Sequence, residues 1–118
     1  MNYGKYFTEA EFKCKHCGAV KMDQNFLDRL NKLRESYGKP MRISSGYRCP
    51  EHPAERSKVT TGMHTTGKAC DVAVEGAEAV FLLQLALQHG FTGIGVQQKG
   101  SGRFLHLDTR DRSTIWSY

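Results

Sequence analysis

The order of periodicities along this 118-residue chain predicts an α+β fold, an antiparallel sheet with flanking helices. It runs helix, helix, strand, loop, strand, helix, strand, strand. A second observation is that no repeat, linker or low-complexity segment divides the chain. A third is the length, which suits one core and one domain over residues 1–118.

Each element has a local reason. Thr8 followed by Glu11 resembles a capping box and opens a short helix, Glu9 to Phe12. Cys14 to Met22 reads as a loop. Asp23 then caps a helix whose apolar residues Phe26, Leu27, Leu30, Leu33 and Tyr37 share one face, with Gly38 as terminator. Met41 to Ser44 reads as a first strand, Gly46 to Pro50 as a turn, and Pro50 to Lys58 as a short irregular helix. Thr60 to Gly67, rich in threonine and glycine, reads as a loop. Ala69 to Val74 has the alternation and β-branching of a strand. Val80 to His89 is apolar around most of its circumference, which predicts a well-buried helix ending at Gly90. Gly93 to Gln97 and Arg103 to Asp108 read as two strands joined through Lys99 to Gly102.

The net charge is +5, with its basic residues scattered. Without a Lys/Arg-dense helix or a paired aromatic strand, nucleic acid is not the expected partner. A mild positive field equally favours other anionic polymers. Hydrophobic residues make up 39% and no apolar run approaches the roughly 20 residues of a bilayer span, so no transmembrane segment is expected. The first residues lack the apolar stretch of a signal peptide, so synthesis in the cytoplasm is expected, as is a monomer.

The cysteines are Cys14, Cys17, Cys49 and Cys70, too few for a disulfide scaffold. Cys14 and Cys17 form a CxxC, and with Cys49 it reads as packed free thiols, with a disulfide from Cys49 to one of the pair, or half of a structural zinc site to be completed by His16 or by nothing, as the alternatives. Cys70 reads as a small buried hydrophobe.

His64, Asp71 and the pair His106 and Asp108 carry the chemistry. Asp71 lies on the predicted Ala69–Val74 strand, and His64 in the loop before it, where Gly67 lets the backbone fold back. His106 and Asp108, two apart on the last strand, point to one face. If the two strands share a sheet, His64, Asp71 and His106 can close on one ion. Two nitrogens, one oxygen and an open corner suit a catalytic zinc best, with manganese or iron as alternatives. The competing reading is of ordinary histidines that lie near an aspartate by chance. His16, His52 and His89 read as surface or helix-end residues.

An ordered set of motifs spans nearly the whole chain. It runs from Phe-x-Cys-x-x-Cys-Gly (Phe12 to Gly18), through Leu33-Arg34 before Gly38-Lys39-Pro40, to Ser45-Gly46-Tyr47-Arg48-Cys49-Pro50. It continues with His-x-x-Gly-x-Ala-x-Asp (His64 to Asp71), Gly93-Ile-Gly95, Phe104-Leu-His106-Leu-Asp108 and Trp116. In these motifs the chain resembles the zinc peptidases of the D-alanyl-D-alanine carboxypeptidase and hedgehog-type fold, which include phage endolysins and murein endopeptidases. The resemblance implies that His64, Asp71 and His106 bind one Zn2+. It implies that Arg48 contacts substrate or stabilises the transition state, and that the substrate is a peptidoglycan peptide at the bacterial cell wall. A phage-type lysin is one such enzyme.

The chain departs from that pattern in places. Relatives carry a glutamate three residues before the last histidine ligand, or a histidine two before it; here these are Arg103 and Phe104. Asp108 is the nearest substitute, as base, substrate contact or partner orienting a ligand. Gly62 stands where many relatives have a substrate-contacting serine, and Val96 and Gln97 where tyrosines often follow Gly95. A rival reading is therefore a zinc-retaining module without turnover that binds peptidoglycan or serves structure. A weaker one is a ribbon-like nucleic-acid binder built on Cys14 and Cys17.

Overall fold

The computed structural model describes residues 1–56 and 62–118. The helix α1 spans Gln24–Tyr37, α2 Pro53–Arg56 and α3 Gly76–Gln88. The strands are β1 (Arg42–Ser45), β2 (Ala69–Ala73), β3 (Gly93–Gln97), β4 (Phe104–Asp108) and β5 (Thr114–Ser117). Short 3-10 helices cover Glu9–Phe12 and Met63–Thr66. The end of the expected Pro50–Lys58 helix and the start of the Thr60–Gly67 loop lie outside the described residues.

The predicted caps are in place. The Asp23 carboxylate accepts the Phe26 N–H at 2.9 Å, and Gly38 ends α1 in the left-handed region at φ 73°. Glu11 accepts the Thr8 N–H at 2.9 Å, fastening the first short helix. The apolar face of α1 is wholly buried: Phe26, Leu27, Leu30 and Leu33 have no exposed surface.

A 5-stranded sheet has the order β1-β2-β4-β3-β5. The first four strands are antiparallel neighbours, and β5 adds parallel to β3, making the sheet mixed. β5 is a strand that periodicity did not reveal. It is an exposed edge, so its Thr-Ile-Trp-Ser sequence carries no alternation between core and solvent.

The third helix also differs from expectation. It begins four residues before Val80, at Gly76, whose N–H donates to the Gln98 side-chain carbonyl at 3.2 Å. It is not well buried. Ala79, Leu82 and Ala86 face the core, whereas Val80 and Leu87 are 61% and 59% exposed. One face of a helix packs on a two-layer core, and apolar residues around the remainder meet solvent. Phe81 is partly shielded by stacking on Tyr37 at 5.7 Å and by Lys39 above its ring.

Candidate metal centre

β2 and β4 are central neighbours, and Asp71 pairs directly with His106 across them. Their side chains therefore rise from one face of the sheet, side by side. His64 reaches the same point from the 3-10 helix Met63–Thr66. Gly67 closes that helix at φ 76°, and a Cβ there would collide with the backbone of Lys21 and Met22. This glycine thus folds the His64 loop into β2 and seats it on the segment ahead of α1.

The ligand atoms converge closely. His64 Nε2 lies 3.2 Å from Asp71 Oδ1, and His106 Nδ1 lies 3.1 Å from Asp71 Oδ1 and 3.2 Å from His64 Nε2. Their outer partners fix the imidazole tautomers. The Gly46 carbonyl, 2.7 Å from His64 Nδ1, can only accept, so Nδ1 carries the proton. Asp108 Oδ2, 2.7 Å from His106 Nε2, likewise holds the proton on that nitrogen. Two nitrogen lone pairs and one carboxylate oxygen are left pointing at each other.

Such a set of acceptors requires a cation between them, or a bound proton. Their spacing matches the edge of a tetrahedron with zinc bonds of about 2.0–2.1 Å. The residues fit Zn2+, with two imidazoles and one carboxylate leaving a fourth corner open. Each of the three is only 4% exposed. They form the floor of a cavity of about 300 Å³ whose walls include Arg48, Phe104, Arg110, Trp116 and Tyr118.

The electrostatics follow the same geometry. Burial would raise the Asp71 carboxyl, but hydrogen bonds from His106 and His64 hold it well below the usual carboxylate range. Burial would lower His106, yet Asp108 and Asp71 outweigh it and raise this imidazole.

Arg48 lies on the cavity wall. Its guanidinium is 3.2 Å from Glu55 Oε2 and 3.4 Å from Asp71 Oδ2, and its Nε donates to Ser45 Oγ at 3.2 Å. The neighbouring backbone is stitched on both sides. The Tyr47 N–H donates to the Phe12 carbonyl at 2.9 Å, and the Arg48 N–H to the His64 carbonyl at 3.2 Å. A Cβ on Gly46 would strike the backbone of Phe12, so only glycine permits this approach.

Asp108 sits behind His106 and does not line the cavity. It has no exposed surface and accepts from the Arg110 guanidinium at 2.7 Å and from the Arg110 backbone N–H at 3.0 Å. Its carboxylate occupies the space a Gly93 side chain would take, and the Trp116 ring covers Gly95 in the same way. Trp116 in turn packs on His106 at 5.0 Å and carries the Arg110 guanidinium 4.6 Å above its ring. The Gly93-Ile-Gly95 motif therefore makes room for the supports of a ligand.

Sequence reasoning did not single out Glu55, Arg110 or Tyr118. Glu55 is fully buried in a short helix with no apolar periodicity, and its other oxygen accepts the Gly62 N–H at 2.8 Å. It ties Arg48 to the segment that leads to His64. Arg110 and Tyr118 lie after the last predicted strand, and the CxxC-to-Trp116 pattern gave them no signal.

A His/Asp/His set at the floor of an open cavity defines the class: a metal-binding triad of two imidazoles and one carboxylate. The family model described as Peptidase M15 matches residues 5–108, and the chain belongs to that family of zinc peptidases. No curated protein matches the chain. Among the described residues no helix is long and apolar enough to cross a membrane.

Proposed function

We propose that this protein is a zinc-dependent peptidase that hydrolyses a peptide bond in the stem or crosslink peptides of bacterial peptidoglycan. The observation that carries the reading is the convergence of two imidazole nitrogens and one carboxylate oxygen beside Arg48 in one cavity. A zinc ion bound there supplies Lewis acidity toward the scissile carbonyl and lowers the pKa of a water to about 7.

The chain's own groups do the rest. Arg48, held by Glu55 and Ser45, presents a fixed positive charge to the carbonyl oxygen or to a substrate carboxylate. Asp108 keeps the His106 proton on Nε2 and so keeps Nδ1 free for the metal. Of the roles open to it, this contact and its place outside the cavity lining support the orienting one. Tyr118, whose hydroxyl is raised above the ordinary phenol value by burial, stays protonated and is suited to donate to substrate.

A second reading is favoured by one observation. Among the described residues lining the cavity, no carboxylate or imidazole stands beyond the triad itself. A zinc-retaining module that binds peptidoglycan peptides without turnover has such a wall. Digestion of purified peptidoglycan, followed by mass spectrometry of released stems, separates the two. New amines at a defined bond, abolished by chelator and by His106→Ala, support the peptidase. Zinc-replete protein that binds several wall types and releases nothing supports the module.

A further inference from the structure

We propose that Cys14, Cys17 and Cys49 form a second, structural metal site that takes a thiophilic divalent cation such as zinc. This site shares no ligand with the His64/Asp71/His106 centre. The three sulfur atoms lie within 4.8 Å of one another with no bond between them.

The backbone around them is shaped for thiolates. Cys14 opens a tight turn in which the Gly18 N–H returns to the Cys14 carbonyl at 2.8 Å, with Gly18 at φ 77°. The Cys14 N–H reaches the Ala19 carbonyl at 2.7 Å, closing the loop from its other end. From across the fold, the Cys49 N–H donates to Cys14 Sγ at 3.4 Å. The backbone N–H groups of Cys17 and His16 point at the same sulfur.

A disulfide would use two sulfurs, strand the third, and gain little from N–H groups aimed at sulfur, because it carries no negative charge. Packed neutral thiols would not call for them either. A metal uses all three sulfurs, and its binding releases their protons to solvent. Cys14 and Cys49 are buried and Cys17 is exposed, so the fourth corner faces outward. It falls to water or to an imidazole of His16 or His52, whose rings stand 6.3 Å apart on the loops that carry the thiols.

The position gives the metal a purpose. Cys49 follows Arg48 directly, so a cation there rivets the N-terminal segment to the loop that carries Arg48. With the Tyr47 and Arg48 backbone bonds, it fixes one rim of the cavity from three consecutive residues.

The test uses the reduced full chain, loaded with zinc and separately with Co2+. The expected result is two zinc ions per chain and a near-ultraviolet thiolate-to-cobalt charge-transfer band. Cys17→Ser, at an exposed position, should lose one zinc and weaken the band. His64→Ala should lose the other zinc and leave the band unchanged. Should either variant fold poorly, alkylation of the wild type decides: zinc should protect the three thiols, and chelation should release them. A single zinc without a thiolate band, thiols alkylated equally with and without zinc, or a disulfide within the trio in zinc-grown protein would each overturn the proposal.

Discussion

Asp71 and His106 are direct partners across β2 and β4, and that register brings Asp71 Oδ1 to 3.1 Å from His106 Nδ1. A one-residue slip between these strands would send the two side chains to opposite faces. The centre therefore depends on the register of the sheet as much as on residue identity. His106→Ala should reduce zinc at this centre to background while leaving the fold intact, as read by metal analysis and circular dichroism. Full zinc retention in that variant would remove His106 from the ligand set.

The role of Asp108 can be separated from that of a base. Asp108→Asn removes the charge that holds the His106 proton and pairs with Arg110. As an orienting partner, it should weaken zinc affinity about 10–100-fold. Activity at saturating zinc should then largely recover. A loss of turnover of about 100-fold or more with zinc affinity unchanged would instead mark Asp108 as a proton-transfer group.

Arg48→Ala should leave zinc in place and lower kcat/KM by roughly 10²–10³, the usual cost of removing one transition-state donor. Glu55→Gln should give a smaller loss in the same direction, because Ser45 and Asp71 still hold the guanidinium. Unchanged steady-state kinetics for Arg48→Ala would place the substrate elsewhere.

Proton and metal compete at His106. Its imidazole is raised above the ordinary value of 6.5, so the metal-free site keeps a proton at a pH where a free imidazole has lost it. Zinc must displace that proton. Affinity should therefore weaken as pH falls through the raised value, by about tenfold per pH unit below it. Asp71, held well below the carboxylate range, does not titrate in that window. Competition with a chromophoric chelator across pH reads this directly, and a flat profile through neutrality would contradict it.

The two glycines of β3 are tested by stability. Gly93→Ala meets the Asp108 carboxylate and Gly95→Ala meets the Trp116 ring. Each should cost about 1–3 kcal/mol in chemical denaturation, the range for overpacking. Gly93→Ala should also weaken zinc binding, because it displaces the group behind His106. A neutral effect of Gly93→Ala on both measurements would mean that Asp108 has room to move.

Much of the fold was legible because it rests on local chemistry. The caps at Asp23 and Gly38, the buried face of α1 and the strands that carry Asp71 and His106 all follow from short-range pattern. The early start of α3 was hidden, because its first turn, Gly76-Ala-Glu-Ala, has no apolar period. The exposure of Val80 and Leu87 was hidden for another reason: hydrophobicity does not say which face of a helix finds a partner. β5 escaped notice because an edge strand is defined by its neighbour β3 rather than by its own alternation.

By itself the sequence determined the α+β class, the metal-ligating residue types and Gly67 as the point where the His64 loop folds back. Those are properties of single residues and of spacing. Tertiary structure alone decided that Asp108 stands behind His106, that Glu55 anchors Arg48, and that Cys49 comes within reach of the Cys14 and Cys17 pair. Each is a relation between segments that the chain joins only by folding, set by strand register and by which buried charge finds which partner.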